Sequence, residues 1–373
     1  MNQLSDTEGN SYTRRILDAL CIDPVLFALL GILSLCGVIL LYSASGSDVE
    51  LIVRQLARLA LGFCLFIAVA NLPLRLLKTF SIWFYVIGVL LLLAVMFFGE
   101  VGKGAQRWLN LGFIRFQPSE ILKLAVPLAL ASYLADRVLP IGLKDFFVSV
   151  VLVLIPIFLI ARQPDLGTAI LVGSAGFFVL FLAGVRWRIM LSLTFLMSLM
   201  APILWKFALH DYQRDRILTM FDPESDPLGS GYHIIQSKIA IGSGGMYGKG
   251  WLNGTQSQLD FIPERSTDFI FAVFGEEFGF FGSAVLILLY LAIILRGLYI
   301  AVHATDNFGR LVAGAVSLTF FVYLFVNIGM VSGMLPVVGV PLPLISYGGT
   351  SMVTLLASFG LIMSIRSAKR FMR

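Results

Sequence analysis

Long apolar runs constrain this chain more than any other feature. Ten of them follow one another along 373 residues, each close to the ~20 residues that an α-helix needs to cross a bilayer. Hydrophobic residues make up 58% of the chain and charged residues only 13%, which is about half the charged share of a soluble protein. This is too little charge to cover a water-facing surface, which excludes a soluble enzyme, a disordered chain and a nucleic-acid-binding protein. The sequence predicts an all-α polytopic membrane protein.

The apolar runs predict ten transmembrane helices. The spans lie near residues 24–42, 54–71, 79–98, 118–135, 146–161, 166–184, 188–207, 268–295, 310–331 and 343–364. Residues 1–23 are polar and predict an N-terminal tail, whereas residues 24–373 predict a single ten-helix domain. The longest connection, about 208–267, lies between spans seven and eight. A loop of that length in a compact protein is more often functional than structureless.

The distribution of Lys and Arg predicts the orientation of these spans. Segments on the side of the termini carry 14 basic residues, and the short loops on the opposite side carry 6. Because basic loops stay in the cytoplasm, both termini are predicted to be cytoplasmic. The loop at 208–267 is then extracytoplasmic, and we expect the chemistry on the same outer face.

Common motifs of soluble enzymes are absent from the sequence. The glycine-rich stretch 242–250 lacks the spacing of a phosphate-binding loop. The three histidines are scattered, and the three cysteines, Cys21, Cys36 and Cys64, have no metal-type spacing. Neither a metal centre nor a disulfide framework is predicted.

An acidic cluster precedes span eight. Asp260, Glu264 and Asp268 fall within nine residues, and Glu276 and Glu277 follow in the next turns. Asp268 could simply cap the helix by accepting hydrogen bonds from free backbone N–H groups. The alternative is a general base, because partial desolvation beside other carboxylates is the condition that general-base catalysis exploits. Carboxylates within a span are functional candidates or members of an ion pair.

A second charged group opens span four. Glu120 and Lys123 are three residues apart and share one helix face, where they can form an ion pair. The structural interpretation is an interfacial salt bridge. The functional one is a cation that reaches a cavity for a phosphorylated lipid, together with Arg54 and Arg107 near the outer span ends. Each of these residues could equally bind lipid headgroups.

At these motifs the sequence resembles the shape, elongation, division and sporulation family, whose members are ten-span peptidoglycan polymerases. The match runs from span one to span ten, and its most specific part is the C-terminal stretch 333–351, preceded by Asn327. It also includes Gly104-Ala105-Gln106-Arg107-Trp108-Leu109, Phe116-Gln117-Pro118-Ser119-Glu120 and the acidic segment that ends at Asp268. The segments 212–217, 231–238 and 254–260 are more similar to the elongation branch than to the division branch.

The resemblance implies that the protein polymerises lipid II, an undecaprenyl-diphosphate-linked disaccharide-peptide, into glycan strands. Asp268 is then the catalytic carboxylate, and Asp260 takes the second acidic position of the loop. Ser346 and Gly348 of the C-terminal signature join the supporting residues. Ser266 departs from the family, which commonly has His before Thr-Asp. The implied location is the bacterial inner membrane with the site facing the periplasm.

The hypothesis for the chemistry is a single inverting displacement. Asp268 accepts a proton from the acceptor 4-hydroxyl, which attacks the donor anomeric carbon. Because undecaprenyl diphosphate leaves as a stable anion, it needs positive charge rather than a partner acid. Lys123, Arg107 and Arg54 are the candidate sources, and a divalent cation (Mg²⁺ or Mn²⁺) is the alternative.

Two other functions are open from the sequence. A flippase for the lipid-linked precursor would also use ten spans and intramembrane charges, although here the charged candidates gather at the outer face. A non-catalytic scaffold of the cell-wall synthesis complex is the third. The resemblance further implies a partner, a class B penicillin-binding protein that cross-links the glycan, with contacts around spans eight and nine.

Overall fold

The computed structural model describes residues 22–102, 105–110, 115–207, 211–227 and 229–368. Residues 1–21 of the predicted tail lie outside the described residues. The helices within the described residues are α1 Pro24–Ala44, α2 Val49–Ala70, α3 Leu74–Phe98, α4 Pro118–Ala135, α5 Leu143–Arg162, α6 Leu166–Leu182, α7 Trp187–Phe207, α8 Asp211–Phe221, α9 Ser230–Gly244, α10 Thr255–Gln258, α11 Ile270–Val302, α12 Asn307–Val331 and α13 Thr350–Ala368. A short 3-10 turn, Pro223–Ser225, lies between α8 and α9.

Ten of these helices coincide with the ten predicted apolar runs, so the predicted helical polytopic fold is confirmed. Seven are long and apolar enough to cross a membrane, namely α1, α2, α3, α5, α11, α12 and α13. α6 is apolar but shorter. The number of crossings and the cytoplasmic side of the termini stay predictions.

Several helices begin earlier than the apolar runs do. α2 begins at Val49 rather than at residue 54, and α3 at Leu74 rather than at residue 79. Hydropathy marks the edge of the membrane, but the helix continues through charged residues such as Glu50. Asp48 stabilises the start of α2 by accepting hydrogen bonds from the N–H groups of Glu50 at 2.9 Å and Leu51 at 3.2 Å.

The last span begins later than predicted. The apolar run suggested a start at residue 343, whereas α13 begins at Thr350. Pro343 and the pair Gly348-Gly349 explain the difference, because proline and glycine disfavour a helix interior. The segment 332–349 is instead an irregular connection packed against the ends of the helices.

The connection at 99–117, which was predicted only as a loop, contains a small antiparallel sheet. Its strands are β1 Glu100–Gly102, β2 Ala105–Asn110 and β3 Arg115–Phe116, with β2 in the middle. The strands are too short to give a clear alternating pattern in the sequence. The sheet leads directly into α4 and places Arg107 beside the helix bundle.

The helices form a buried centre and a lipid-facing periphery. α4, α12 and α13 are largely buried. Small residues allow close packing around them: Gly314 of α12 makes room for Leu182 of α6, and Gly360 of α13 lets the backbone of α2 approach at Phe66. α2, α3 and α5 expose apolar side chains such as Phe80 and Phe158, as expected for surfaces that face lipid. At one end of the bundle the buried Asp23 pairs with Arg296 and Arg366. These ion pairs join the start of α1 to the C-terminal parts of α11 and α13.

Candidate functional site

Asp268 lies in the turn that enters α11, at the opposite end of α11 from Arg296. Its side chain is half-buried, and its carboxylate lies against Gly339 of the 332–349 connection. A Cβ at Gly339 would be 3.4 Å from Asp268 Oδ2, and Gly339 has a φ of +72°, a left-handed conformation that favours glycine. The left-handed backbone, rather than a lack of space, therefore favours glycine at this position.

Three hydrogen bonds attach the Asp268 turn to the C-terminal signature. The Ser346 hydroxyl donates to the Thr267 carbonyl at 2.5 Å, and the Tyr347 N–H donates to the Ser266 carbonyl at 2.8 Å. The Asn327 amide donates to the Asp268 carbonyl at 2.8 Å. Each bond fixes a different backbone carbonyl, so the turn is held residue by residue.

The same side chains also order the C-terminal connection itself. Asn327 Nδ2 donates a second bond to the Val340 carbonyl at 2.7 Å. Ser346 Oγ accepts from the Leu342 N–H at 2.8 Å. Gly348 follows at the half-buried end of this connection. The predicted supporting residue Ser346 is thus a backbone clamp in a buried position.

A cavity of about 880 Å³ lies beside the signature. Its walls come from α2, α3, α4, α13 and the small sheet, and it is lined mainly by apolar side chains. Gly349, which follows Gly348, is part of the lining. A second apolar groove of about 350 Å³ shares Phe84, Leu124 and Ala357 with it and extends towards Leu72 and Leu76.

Two arginines bring positive charge to this cavity, and one of them was missed by the sequence analysis. Arg58 on α2 and Arg107 on β2 both line it. Among the described residues, Arg58 Nη1 and Arg107 Nε are buried without a hydrogen-bond partner. Arg107 also approaches Asp165 at 3.7 Å and donates to the Pro164 carbonyl at 3.3 Å. Because each guanidinium carries five N–H donors, both arginines can also donate to an anionic ligand in the cavity.

Tyr347 links the cavity to the Asp268 turn. The Arg58 guanidinium lies 4.5 Å from the centre of the Tyr347 ring, within the range of a cation–π interaction. The backbone N–H of the same tyrosine holds Ser266, two residues before Asp268. Tyr347 therefore contacts both an arginine that lines the basic cavity and the turn that carries the predicted catalytic carboxylate.

Arg54 lies one helical turn before Arg58 but outside the cavity lining. It forms an ion pair with Glu50 on an exposed face and interacts weakly with Tyr347. Both arginines carry the same sequence signal, a cation near a span end. The two differ only in the side of α2 on which they lie. Which side faces the cavity is decided by the packing of α2 against α13, which the sequence does not show.

Asp260 stands apart from Asp268. Its side chain is 78% exposed and pairs with Arg265, 2.6 Å between Oδ1 and Nη1. Arg265 in turn donates to the Ser257 carbonyl. The second acidic position is therefore a contact that shapes the loop before the Asp268 turn.

Glu120 and Lys123 form the predicted ion pair, and both are buried. Lys123 Nζ lies 2.7 Å from Glu120 Oε1, and the Thr354 hydroxyl donates to Glu120 Oε2 at 2.9 Å. Lys123 lines a small cavity of about 20 Å³ beside Tyr323, while Thr354 lines both this cavity and the large one. The pair therefore lies behind the wall of the large cavity.

The intramembrane carboxylates Glu276 and Glu277 are buried and hydrogen-bonded. Glu276 accepts from Lys249 Nζ at 2.7 Å and from the Gln256 N–H at 2.9 Å. Glu277 accepts from the Ser43 hydroxyl. Glu276 thus forms the ion pair of the structural alternative, whereas Glu277 connects α11 to α1 through a neutral hydroxyl.

His233 covers the Asp268 turn from the loop. The His233 ring stacks on Phe269, with ring centres 5.3 Å apart. Burial lowers the pKa of His233 below its ordinary value, although Glu264 and Asp226 act in the opposite direction. Arg216, the remaining charged neighbour, also lowers the pKa and donates to the Val337 carbonyl at 2.9 Å.

Among the described residues, no group of three His, Cys, Asp or Glu side chains converges in a way that could hold a metal ion. The charge near the cavity comes instead from guanidinium groups. These residues do not fit a divalent cation held by the protein alone.

Comparison with known proteins agrees with these features. The peptidoglycan glycosyltransferase MrdB of Escherichia coli K12 is 51% identical over 363 residues, which cover 97% of this chain and 98% of that protein. MrdB of Helicobacter pylori is 40% identical, with 85% and 83% covered. The model of the FtsW/RodA/SpoVE family, described as cell cycle protein, matches residues 21–371.

Two solved structures share the fold. A chain from a peptidoglycan synthase complex, described as coordinating polymerization and crosslinking, aligns with a TM-score of 0.81 and 36% identity, covering 92% of this chain and 97% of that one. The crystal structure of Thermus thermophilus rod shape determining protein RodA aligns with a TM-score of 0.71 and 30% identity, covering 92% and 96%. The chain therefore belongs to the FtsW/RodA/SpoVE family, the shape, elongation, division and sporulation proteins that its motifs resemble.

Proposed function

We propose that this protein is a peptidoglycan glycosyltransferase that polymerises lipid II during cell elongation. The relatives that carry this name cover nearly the whole chain. The observation that carries the proposal is the series of contacts that joins the Asp268 turn, through Tyr347, to Arg58 in the wall of the cavity that Arg107 also lines.

In the proposed reaction, Asp268 acts as the general base. It accepts the proton of the acceptor 4-hydroxyl while that oxygen bonds to the donor anomeric carbon. The bond from this carbon to the diphosphate oxygen breaks, and undecaprenyl diphosphate leaves with the electron pair. One displacement converts an α-linked diphosphate into a β-linked glycan. Glycosidases pair two carboxylates because a sugar alkoxide leaves poorly, a requirement that a diphosphate removes.

Arg58 and Arg107 are the proposed partners of the donor diphosphate. Both side chains line the cavity, and arginine is suited to bidentate contacts with phosphate oxygens. Their charge stabilises the leaving group as the bond breaks. The apolar groove towards Leu72 and Leu76 offers a path for the polyprenyl tail.

The other predicted residues take supporting roles in this proposal. Lys123 and Glu120 stabilise the wall of the cavity through Thr354, and they contribute positive potential only at a distance. Arg54 attracts the anionic headgroup at the rim, and Asp260 shapes the loop. The proposal derives no step through a divalent cation.

The proposed location is the bacterial inner membrane, with Asp268 on the periplasmic side, as the distribution of basic residues predicts. The proposed partner is a class B penicillin-binding protein. A chain of similar fold comes from a synthase complex that couples polymerization to crosslinking. An apolar groove of about 380 Å³ between α11 and α12, lined by Leu291 and Phe325, is the proposed contact for apolar side chains of a transmembrane helix of that partner.

Glycan formation from lipid II in detergent tests the proposal against the flippase alternative. A detergent sample has no sealed membrane, so transport cannot produce a signal. We expect the purified protein, alone or with its partner, to form polymer. Lipid II that stays unpolymerised in both samples, together with transfer across sealed vesicles, would instead favour a flippase. Inactivity in both assays would favour a scaffold.

A further inference from the structure

The segment 245–252, between α9 and α10, lies below the end of the bundle that holds Asp268. The Trp251 indole N–H donates to the carbonyl of Ile39 at 3.3 Å. Ile39 is five residues before the end of α1 at Ala44, which is about 7.5 Å along a helix. α1 has 21 residues, so it spans about 31 Å, close to the thickness of the hydrocarbon core.

Contacts with α11 give the same depth independently. Glu277 is hydrogen-bonded to Ser43 in the last turn of α1. Phe280 and Phe281 follow about one turn deeper, and their N–H groups donate to the carbonyls of Gly245 at 3.0 Å and Met246 at 3.1 Å. Both registers therefore place the segment about one turn below the end of α1.

Part of the backbone of this segment is hydrogen-bonded to α11 inside the protein. The N–H groups of Lys249 and Gly250 donate to the carbonyls of Glu276 at 3.0 Å and Glu277 at 2.9 Å. Gly279, with a φ of +64°, opens the α11 backbone at this level, and a Cβ there would lie 2.3 Å from the Gly248 nitrogen. Irregular backbone at membrane depth is tolerated only when its polar groups are satisfied internally.

The one cation of the segment is neutralised inside the protein. Lys249 Nζ lies 2.7 Å from Glu276 Oε1 and 2.6 Å from Thr255 Oγ1, and the Glu276 side chain is fully buried. An ion pair of this kind removes the cost of a charge at membrane depth. It also explains why Glu276 follows Asp268 within the span.

The outward edge of the segment is apolar and aromatic. Met246, Tyr247 and Trp251 are exposed, with 82% of Tyr247 accessible. Tyr247 lies against Phe281, with ring centres 5.4 Å apart, and Phe280 is exposed beside it. Tyrosine and tryptophan are enriched where membrane meets water.

We propose that residues 245–252 form a re-entrant hairpin, whose edge of Met246, Tyr247 and Trp251 contacts acyl chains in the leaflet nearest Asp268. The segment predicted as an extracytoplasmic loop thus enters the membrane at its tip. Because α9 leads into this tip and packs on α11, the bilayer supports the helix that covers the Asp268 turn. The inference is independent of the proposed reaction.

Collision accessibility of spin labels tests the inference. The full chain, with Cys21, Cys36 and Cys64 replaced by alanine, is labelled at Tyr247→Cys and reconstituted in phosphatidylcholine–phosphatidylglycerol vesicles. Ser225→Cys, in an exposed turn, is the water control. Leu288→Cys, on the exposed side of α11, is the lipid control. Oxygen partitions into the membrane, whereas a neutral nickel chelate stays in water.

We expect the ratio of oxygen to nickel collisions at Tyr247→Cys to be several-fold higher than at Ser225→Cys and to approach that at Leu288→Cys. A ratio equal to that at Ser225→Cys would place the hairpin in water and overturn the inference. Exclusion of both reagents would show that protein, such as a second copy, covers the edge, and this too would overturn it. Met246→Cys provides the same reading if Tyr247→Cys does not fold.

Discussion

Asn327 holds Asp268 by its backbone, with 2.8 Å between Nδ2 and the Asp268 carbonyl oxygen. The same nitrogen holds Val340 at 2.7 Å, one residue after the Gly339 that contacts the carboxylate. One buried amide thus fixes the position of the Asp268 turn relative to the 332–349 connection. The position of the carboxylate follows from a residue 59 positions away in the sequence.

Asn327→Ala is expected to lower kcat for lipid II polymerisation by about 100-fold with little change in KM, because misplacement by about 1 Å costs rates of this size. Loss of the buried bonds should also reduce the free energy of unfolding by about 1–3 kcal/mol. Asn71→Ala is the control for the same substitution far from the site, where Asn71 donates a local, exposed bond to the Ile67 carbonyl. A change mainly in KM would show that Asn327 binds substrate instead of positioning Asp268.

Arg58 and Arg54 offer a comparison of two cations one helical turn apart. Arg58→Gln is expected to raise KM for lipid II by about tenfold or more, because a charge-assisted bond to phosphate contributes about 1.5–3 kcal/mol. Arg54→Gln should have a clearly smaller effect, since Arg54 is exposed and paired with Glu50. Steady-state kinetics in detergent measure both. Equal effects would contradict the assignment of the diphosphate to the cavity.

Lys123→Met is expected to destabilise the protein more than it affects catalysis. Removing the lysine leaves Glu120 buried without its ion-pair partner, at a cost of about 3–5 kcal/mol. The double variant Lys123→Met, Glu120→Gln should recover much of the thermal stability and most of the activity. Stability that recovers without activity would assign Lys123 a direct part in donor use.

The pKa of His233, lowered by burial, predicts how stability depends on pH. The unfolded chain binds the His233 proton near pH 6.5, whereas the folded protein binds it only at lower pH. The contribution of His233 to the free energy of unfolding is therefore fully present above about pH 6.5. It decreases as the pH falls from there towards the pKa of the folded protein. Thermal unfolding between pH 8 and 5 measures this dependence. His233→Gln should make it shallower, and an unchanged slope would contradict the assignment.

The helices could be predicted well from the sequence because the hydropathy of an apolar run is a local property that needs no knowledge of tertiary contacts. Their ends were less accurate, since Glu50 extends α2 beyond the apolar region and Pro343 delays α13 until Thr350. The position of Asp268 before a span was also readable. By contrast, nothing local distinguishes Arg58 from Arg54, because only the packing of α2 decides which of them faces the cavity.

Hydrophobic periodicity could not predict the contacts between segments that are distant in the sequence. The bond between Asn327 and Asp268, and that between Ser346 and Thr267, join residues that a single sequence gives no reason to pair. The family signature at 333–351 could indicate that these residues matter, but not that they act as backbone clamps. The depth of Trp251 was hidden for the same reason, because the segment around it is glycine-rich and reads as a loop.

Substitution of Asp268 by asparagine tests the central claim most directly, since it preserves size and removes the base. We expect purified Asp268→Asn protein to bind lipid II but to polymerise it at least 100-fold more slowly, within the range of about 10²–10⁴ that a general base contributes. Asp306→Asn, at the N-cap of α12, is the control for the same chemical change. Polymerisation by Asp268→Asn at the wild-type rate would contradict the account.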